Sequence, residues 1–247
     1  MRIACYSCLY GDREPLNPRL FAHLEGVDCF VFTDREELAG EGFEAVLDPT
    51  HGLDPARASR RAKLMPHRYL ADYDVSVYFD NRVIPKAKML GEVREMVAGS
   101  PADFFAFPHP ERRCVYVEAE EVRRRGIARD SLLDEQIETY RALGLPDDAG
   151  LIAGTFLVRR HNAPALVHFA ERWYEHVLRF SQRDQISWGF LAWAVGLPLE
   201  LIPGSVYRNG KFVWMQRQGS GAAGSRLKVK HARNARNRVT QDFKRQG

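Results

Sequence analysis

The stretch Asp74-Val75-Ser76-Val77-Tyr78-Phe79-Asp80-Asn81-Arg82 decides how the chain is read. Its alternation puts Val75, Val77 and Phe79 on one face and Ser76 and Tyr78 on the other, the period of a β-strand. The run ends on an acid followed by Asn81 and Arg82, and Pro85 soon stops extended pairing. In open α/β sheets ligands gather at the carboxyl ends of the strands. Asp80 therefore stands where a carboxylate can hold a divalent cation that also bridges to phosphate oxygens. The plainer alternative is a turn aspartate that closes the next segment.

Working outward, residues 2–9, 27–32 and 43–47 read as strands, the second ending at Thr33-Asp34. The interval between the first two leaves room for a helix or a long loop, as a βαβ unit requires. Residues 55–70 read as a helix with an apolar stripe, Ala58, Ala62, Met65 and Tyr69, and a basic stripe, Arg60, Lys63 and His67. Pro66 should kink or break it near Met65. The basic stripe is either a solvated face or a cationic wall of the crevice beside Asp80.

Further helices are read over 86–98, from Val115 to Gly126, and around Leu133, Ile137 and Tyr140. A strand over 103–107 runs into Pro108-His109-Pro110, whose prolines fix the backbone around His109. That histidine reads either as a functional group or as one bonded to its own loop. Residues 151–158 are too apolar for a solvent-facing edge and predict a central strand. Gly154 within it marks a backbone that something approaches closely. Leu166, Phe169, Trp173, Val177 and Phe180 form a long core stripe, and 199–202 and 207–215 read as the last extended segments. Ser181-x-x-Asp184 ahead of an apolar run is close to a capping box. The competing reading gives Asp184 and Gln185 polar contacts to a sugar at the positive end of that helix.

Charge is unevenly spread. The net charge is +4, yet from Gly219 onward eight Lys/Arg face the single acid Asp242, so that tail carries +7 and the body −3. The basicity is local, which argues against a nucleic-acid-binding domain. The tail instead suits a solubilising segment, or contact with an anionic membrane surface or an acidic saccharide. These boundaries give a folded domain over 1–218 and a Gly/Ser linker with basic tail over 219–247. The four cysteines, at 5, 8, 29 and 114, do not form a disulfide framework, and reduced thiols in the cytoplasm are the expected state. No signal peptide and no apolar run of membrane-spanning length is read.

Several segments taken together resemble one family. They are Phe30-Val31-Phe32-Thr33-Asp34; Arg60-x-x-Lys63-x-x-Pro66-His67; Val77-Tyr78-Phe79-Asp80; Phe107-Pro108-His109-Pro110-x-Arg112 followed by Val115-Tyr116-x-Glu118-Ala119; and Gly154-x-Phe156-x-x-Arg159 ahead of Arg183-Asp184-Gln185. In this order, over roughly residues 2–195, they resemble the glycosyltransferase-like domain once catalogued as a domain of unknown function in plant mucilage-related and bacterial proteins. That family is in turn similar to GT-A glycosyltransferases.

The resemblance implies an α/β fold, a single Rossmann-like mixed sheet flanked by helices. It also implies transfer from a nucleotide-sugar donor to a saccharide or lipid-linked acceptor, in surface polysaccharide synthesis. Asp80 would bind Mn²⁺ or Mg²⁺ on the diphosphate. Arg60 and Lys63 would neutralise phosphate charge, and Thr33 and Asp34 would lie near the nucleoside. His109, Arg112, Glu118, Asp184 and Gln185 would lie near the sugar. A strict DxD motif has a second acid at position 82, where this chain has Arg82, a residue able to contact a diphosphate directly. Two rivals stand beside this reading: a non-catalytic module that binds glycan or partner, and a metal-dependent hydrolase using Asp80 and His109.

Overall fold

In the computed structural model the run around Asp80 is strand β4, Val75–Phe79, with every residue buried. The structure describes residues 1–128 and 130–215; the linker and basic tail expected over 219–247 lie outside them. β4 sits inside a seven-stranded sheet of order β3-β2-β1-β4-β7-β6-β8. Its members are β1 (Ile3–Leu9), β2 (Asp28–Thr33), β3 (Glu44–Leu47), β6 (Phe104–Pro108), β7 (Ile152–Arg159) and β8 (Leu199–Leu201). β1 runs parallel to β2 and β4, and β2 to β3. β7 is antiparallel to both β4 and β6, so the sheet is mixed and the apolar strand is central, as its composition predicts.

Both faces of β4 are covered. Val75, Val77 and Phe79 join one core cluster with Met89, Val93 and Val97 of α2 (Met89–Ala98). Tyr78 joins the other with residues of α1 (Pro55–Leu64), α3 (Val115–Arg124), α4 (Asp130–Ala142), α5 (Pro164–Arg179) and α6 (Asp184–Val195). The two-residue alternation is thus a division between two apolar layers, and burial on both faces holds the register.

The chain order creates a switch point. From β1 the chain moves outward to β2 and β3, then returns through α1 to β4 on the other side of β1. Tyr6 lies opposite Tyr78 in parallel register, so the segments after β1 and β4 leave the sheet side by side. Crevices at such reversals are where α/β sheets bind ligands.

Three local readings are resolved, the first by the break expected at Pro66 and the second in favour of the long loop. The helix expected over 55–70 ends at Leu64, and a 3₁₀ turn over Pro66–Arg68 follows. Pro66 cannot donate the amide hydrogen bond that would continue the helix. Between β1 and β2 the chain folds as turns, without a helix. Pro85 does not end pairing at once: β5 (Val83–Pro85) forms an antiparallel ribbon with β9 (Phe212–Trp214). A two-stranded ribbon tolerates proline because one side of each strand needs no partner. No helix among the described residues is long and apolar enough to cross a membrane.

Candidate active site

Two cavities open at the switch point. The larger, about 660 Å³, is lined by Cys8 to Glu14 at and beyond the end of β1, by Tyr78, Asp80, Asn81 and Arg82 of the β4 end, and by the first turns of α1. The smaller, about 250 Å³, is lined by Lys63, His109, Arg112, Glu118, Gly154, Asp184 and Gln185 among others. Arg60 and Asp80 line both and so stand at their boundary.

Helix α1 supplies the cations. Asp54 caps it by accepting the Arg57 N–H at 3.0 Å, and Pro55 occupies its first turn. Arg60 and Lys63 are three residues apart and share a face. Both reach Asp184 Oδ2, Lys63 Nζ at 2.6 Å and Arg60 Nε at 3.4 Å. Lys63 is 4% exposed and Asp184 3%. Burial alone would raise the Asp184 pKa, but the charges of Lys63 and Arg60 hold it well below the usual carboxylate range. Burial would likewise lower that of Arg60, and Asp184, Tyr78 and Asp80 together hold it up. Lys63 Nζ also lies 4.9 Å from the Tyr78 ring centre, within cation–π range.

This geometry corrects the capping reading of Asp184. The residue ahead of α6 is Arg183, and no side chain caps the helix. Asp184 is its first residue, and the Trp173 indole donates to its carbonyl at 2.7 Å, tying α6 to α5. Gly154 explains how the pair fits: a Cβ there would lie 3.2 Å from Lys63 Nζ and 3.7 Å from Asp184 Oδ2. The close approach expected at this glycine is that of the buried ion pair.

Asp80 keeps one strong contact, accepting the Tyr78 hydroxyl at 2.7 Å, and its N–H donates to Thr155 on β7. Arg82 follows it on the wall of the larger cavity. Fit to a metal follows from this donor set. Among the described residues no three His, Cys, Asp or Glu side chains converge on a common point. The one carboxylate at the β4 end has Arg60 and Arg82 on the same cavity wall, and Asp184 is held by two cations. The set does not hold an ion by protein ligands alone; an ion on Asp80 would take its remaining ligands from a diphosphate and water.

A second buried carboxylate organises the smaller cavity. Glu118, 3% exposed, pairs with Arg112 Nε and lies 3.8 Å from both His109 Nε2 and Arg183 Nη2. His109 Nδ1 accepts the backbone N–H groups of Glu111 and Arg112 at 3.2 and 3.0 Å. The Nδ1 lone pair is therefore spent on its own loop, while Nε2 lies 3.4 Å from Arg112 Nη2. Burial lowers the His109 pKa, which favours the neutral form. Gln185 donates to the Ile152 carbonyl at 2.8 Å and accepts from Arg183.

Not every expected residue joins the site. Thr33 is buried; its hydroxyl accepts the Arg35 N–H at 3.1 Å in a local turn. Asp34 accepts the Gly11 N–H at 2.9 Å and so shapes the loop lining the larger cavity, without lining it. His67 turns away to Glu171 on α5, at 2.8 Å. Among the lining residues that the sequence does not mark as site residues are Tyr78 in the larger cavity and Arg183, Tyr207 and Trp214 in the smaller. Tyr78 carried a signal, because two residues before Asp80 on a strand is the same face. Tyr207 and Trp214 arrive from a distant segment and carried none.

Residues 46–203 match the family described as TOD1/MUCI70, glycosyltransferase-like domain. No curated protein matches the chain. Among solved structures it is similar to mouse xyloside xylosyltransferase 1 in its apo form, at 9% identity and a TM-score of 0.48, over 82% of this chain and 85% of that one. It is also similar to the WbbM bifunctional glycosyltransferase in its apo form, at 11% identity and a TM-score of 0.47. That match covers 82% of this chain but 39% of the other. Similarity at this level does not carry a reaction from one protein to another.

Proposed function

This chain belongs to the TOD1/MUCI70 glycosyltransferase-like domain family, and from that premise we propose that it transfers a sugar from a nucleotide-sugar donor to a saccharide acceptor. The observation that carries the reading is the convergence of Arg60, Lys63, Arg82 and Asp80 on the cavities at the β1/β4 switch point. The larger cavity is of a size usual for small-ligand sites and takes the nucleoside diphosphate. The reacting bond lies at the boundary marked by Arg60 and Asp80, and the smaller cavity admits the acceptor.

In this reading the charge that grows on the departing diphosphate is met by Arg60 and Arg82, with Lys63 behind them. Interactions that strengthen as the bond breaks are the ones that accelerate it. Guanidinium groups suit the role because they stay charged and grip phosphate oxygens in pairs. Asp80, held by Tyr78, orients Arg60 and the donor sugar. Asp184 keeps Lys63 charged in the interior and aims it.

Titration of UDP and GDP into the full chain in EDTA tests this. Binding in the micromolar range is expected, weakened about tenfold by Arg82→Ala, as loss of a charge-assisted contact implies. Failure of both nucleotides to bind, with or without manganese, contradicts the donor site.

One observation favours a second reading, a non-catalytic module on this fold. Glu118 and Asp184, two acids of the smaller cavity, are both held by cations, so neither is free to take a proton. Turnover separates the two: release of UDP or GDP from a nucleotide sugar, at any rate above background, excludes the module.

A further inference from the structure

The smaller cavity has one wall unlike the rest. Tyr207 and Trp214 line it beside Arg112, Glu118 and Asp184. Their ring centres are 6.0 Å apart at a tilt of 44°, and Tyr207 is 56% exposed. A single exposed aromatic needs no explanation. This pair differs in its place, at the mouth of a charged cavity, and in how firmly it is held.

The Trp214 indole donates to the Val206 carbonyl at 3.1 Å, which also accepts from Asn209 Nδ2 at 3.0 Å. Asn209 Oδ1 accepts the N–H groups of Lys211 and Phe212, at 2.9 and 3.0 Å. Lys86 Nζ donates to the Asn209 carbonyl, and Lys211 Nζ pairs with Glu92 of α2, both at 2.9 Å. Phe212 is buried between them in the core. The segment is therefore braced before any ligand arrives, so little ordering remains to be done on binding. The polar edge of Trp214 is already used, which leaves its ring face to offer.

An occupant must present a flat hydrocarbon face to the rings and hydrogen-bonding groups to the charged wall. A pyranose does both, with C–H bonds on one face and hydroxyls around its rim. An alkyl chain would cover Arg112, Glu118 and Arg183 without satisfying them, which is costly. We propose that Tyr207 and Trp214 form the acceptor subsite, a platform on which one saccharide ring stacks while its hydroxyls point toward the Arg112–Glu118 pair. The assignment rests on the transferase reading above and gives its acceptor a chemical class and a place.

The test is calorimetric titration of the full chain with gluco-, manno-, galacto- and xylo-configured tetrasaccharides, each with UDP or GDP present and absent. At least one is expected to bind in the millimolar range or tighter. Tyr207→Ala should weaken it about tenfold, ~1.4 kcal/mol, and Tyr207→Phe should preserve it. Nucleotide binding should stay within about twofold in both variants. Tyr207 is exposed, so its truncation leaves the fold intact; Trp214→Phe gives a second, more buried probe. Nucleotide binding with no saccharide binding, or equal saccharide binding by wild type and Tyr207→Ala, overturns the platform and leaves the donor site standing. Saccharide binding that is lost in Tyr207→Ala, in a protein that binds no nucleotide, supports the platform and removes the donor site.

Discussion

Lys63 and Asp184 meet where neither charge could remain alone. Taking both out of water is expensive, and the 2.6 Å contact recovers that cost only while both are present. Asp184→Asn should therefore cost about 3–5 kcal/mol of stability, read from denaturant melts, because it strands a buried ammonium. The double change Lys63→Met with Asp184→Leu should recover most of that loss, since apolar replacement of a buried pair is often near neutral. Nucleotide binding should remain impaired in the double variant. Full recovery of both would make the pair purely structural. At this scale the sequence was half legible. The three-residue spacing of Arg60 and Lys63 announced one shared face, but their partner lies about 120 residues on, and no local pattern carries a contact that only the fold creates. His109 shows the reverse: its rigid Pro-His-Pro setting was visible, and which ring nitrogen is spent on the loop was not.

Among elements, α1 does most to build the site, and it is fixed at both ends. Its last carbonyls are met by Arg159 from β7, which donates to the Lys63 carbonyl at 2.9 Å and to the Tyr6 hydroxyl. Arg57 donates to carbonyls 177 and 180 at the end of α5, at 3.1 and 2.7 Å. A buried cation at a helix C-terminus complements the helix dipole. Arg159→Met should lower stability by about 1–3 kcal/mol, by removing a buried donor that the Lys63 carbonyl shares with the Tyr6 hydroxyl. It should weaken nucleotide binding as well if α1 carries the cations. Packing of α6 offers a control away from the charges. A Cβ at Gly189 would lie 2.5 Å from Val115 Cγ2 and 3.2 Å from the Gly150 carbonyl. Gly189→Ala should thus cost about 1–3 kcal/mol by overpacking while leaving nucleotide affinity unchanged in the folded fraction. Element existence was readable from periodicity for the longer elements, from β4 to the α5 stripe, and not for the three-residue β5. The end of α1 was readable from Pro66, which removes an amide and breaks the helix at Met65 although the apolar stripe continues through Tyr69.

For the whole molecule, topology places the site and pH tests the interior. The order β3-β2-β1-β4 puts the reversal beside Asp80, a consequence of connection lengths that alternation alone does not reveal. The α/β class with a mixed sheet followed from the family resemblance, and the spacing of the first strands showed only room for a βαβ unit; the return of 205–214 to the site followed from neither, because β9 pairs with β5 across more than a hundred residues. His176, stacked on Tyr140 and accepting its hydroxyl at 2.6 Å, has its pKa pushed down to about 4 by burial, then by Arg172 and Arg179. The unfolded chain takes up this proton near pH 6.5 and the folded one only near 4. Stability should therefore fall as pH drops across that window, by about 1–2 kcal/mol once screening at a partly exposed site is allowed for. His176→Gln should flatten that part of the profile. Asp184, whose pKa is depressed, contributes in full above its ordinary value of 3.8 and loses its contribution only at still lower pH. Two acid stages are expected in thermal melts, the upper one reduced in His176→Gln, with His109 and His161, whose pKa values burial also lowers, supplying the remainder.

The most direct measurement is the position of a nucleoside diphosphate in crystals soaked with UDP or GDP without added metal. The account predicts the diphosphate between the segments that follow β1 and β4, with its oxygens on Arg60 and Arg82. A nucleotide seated elsewhere, or one that enters this crevice only with a divalent ion bound to Asp80, would contradict it.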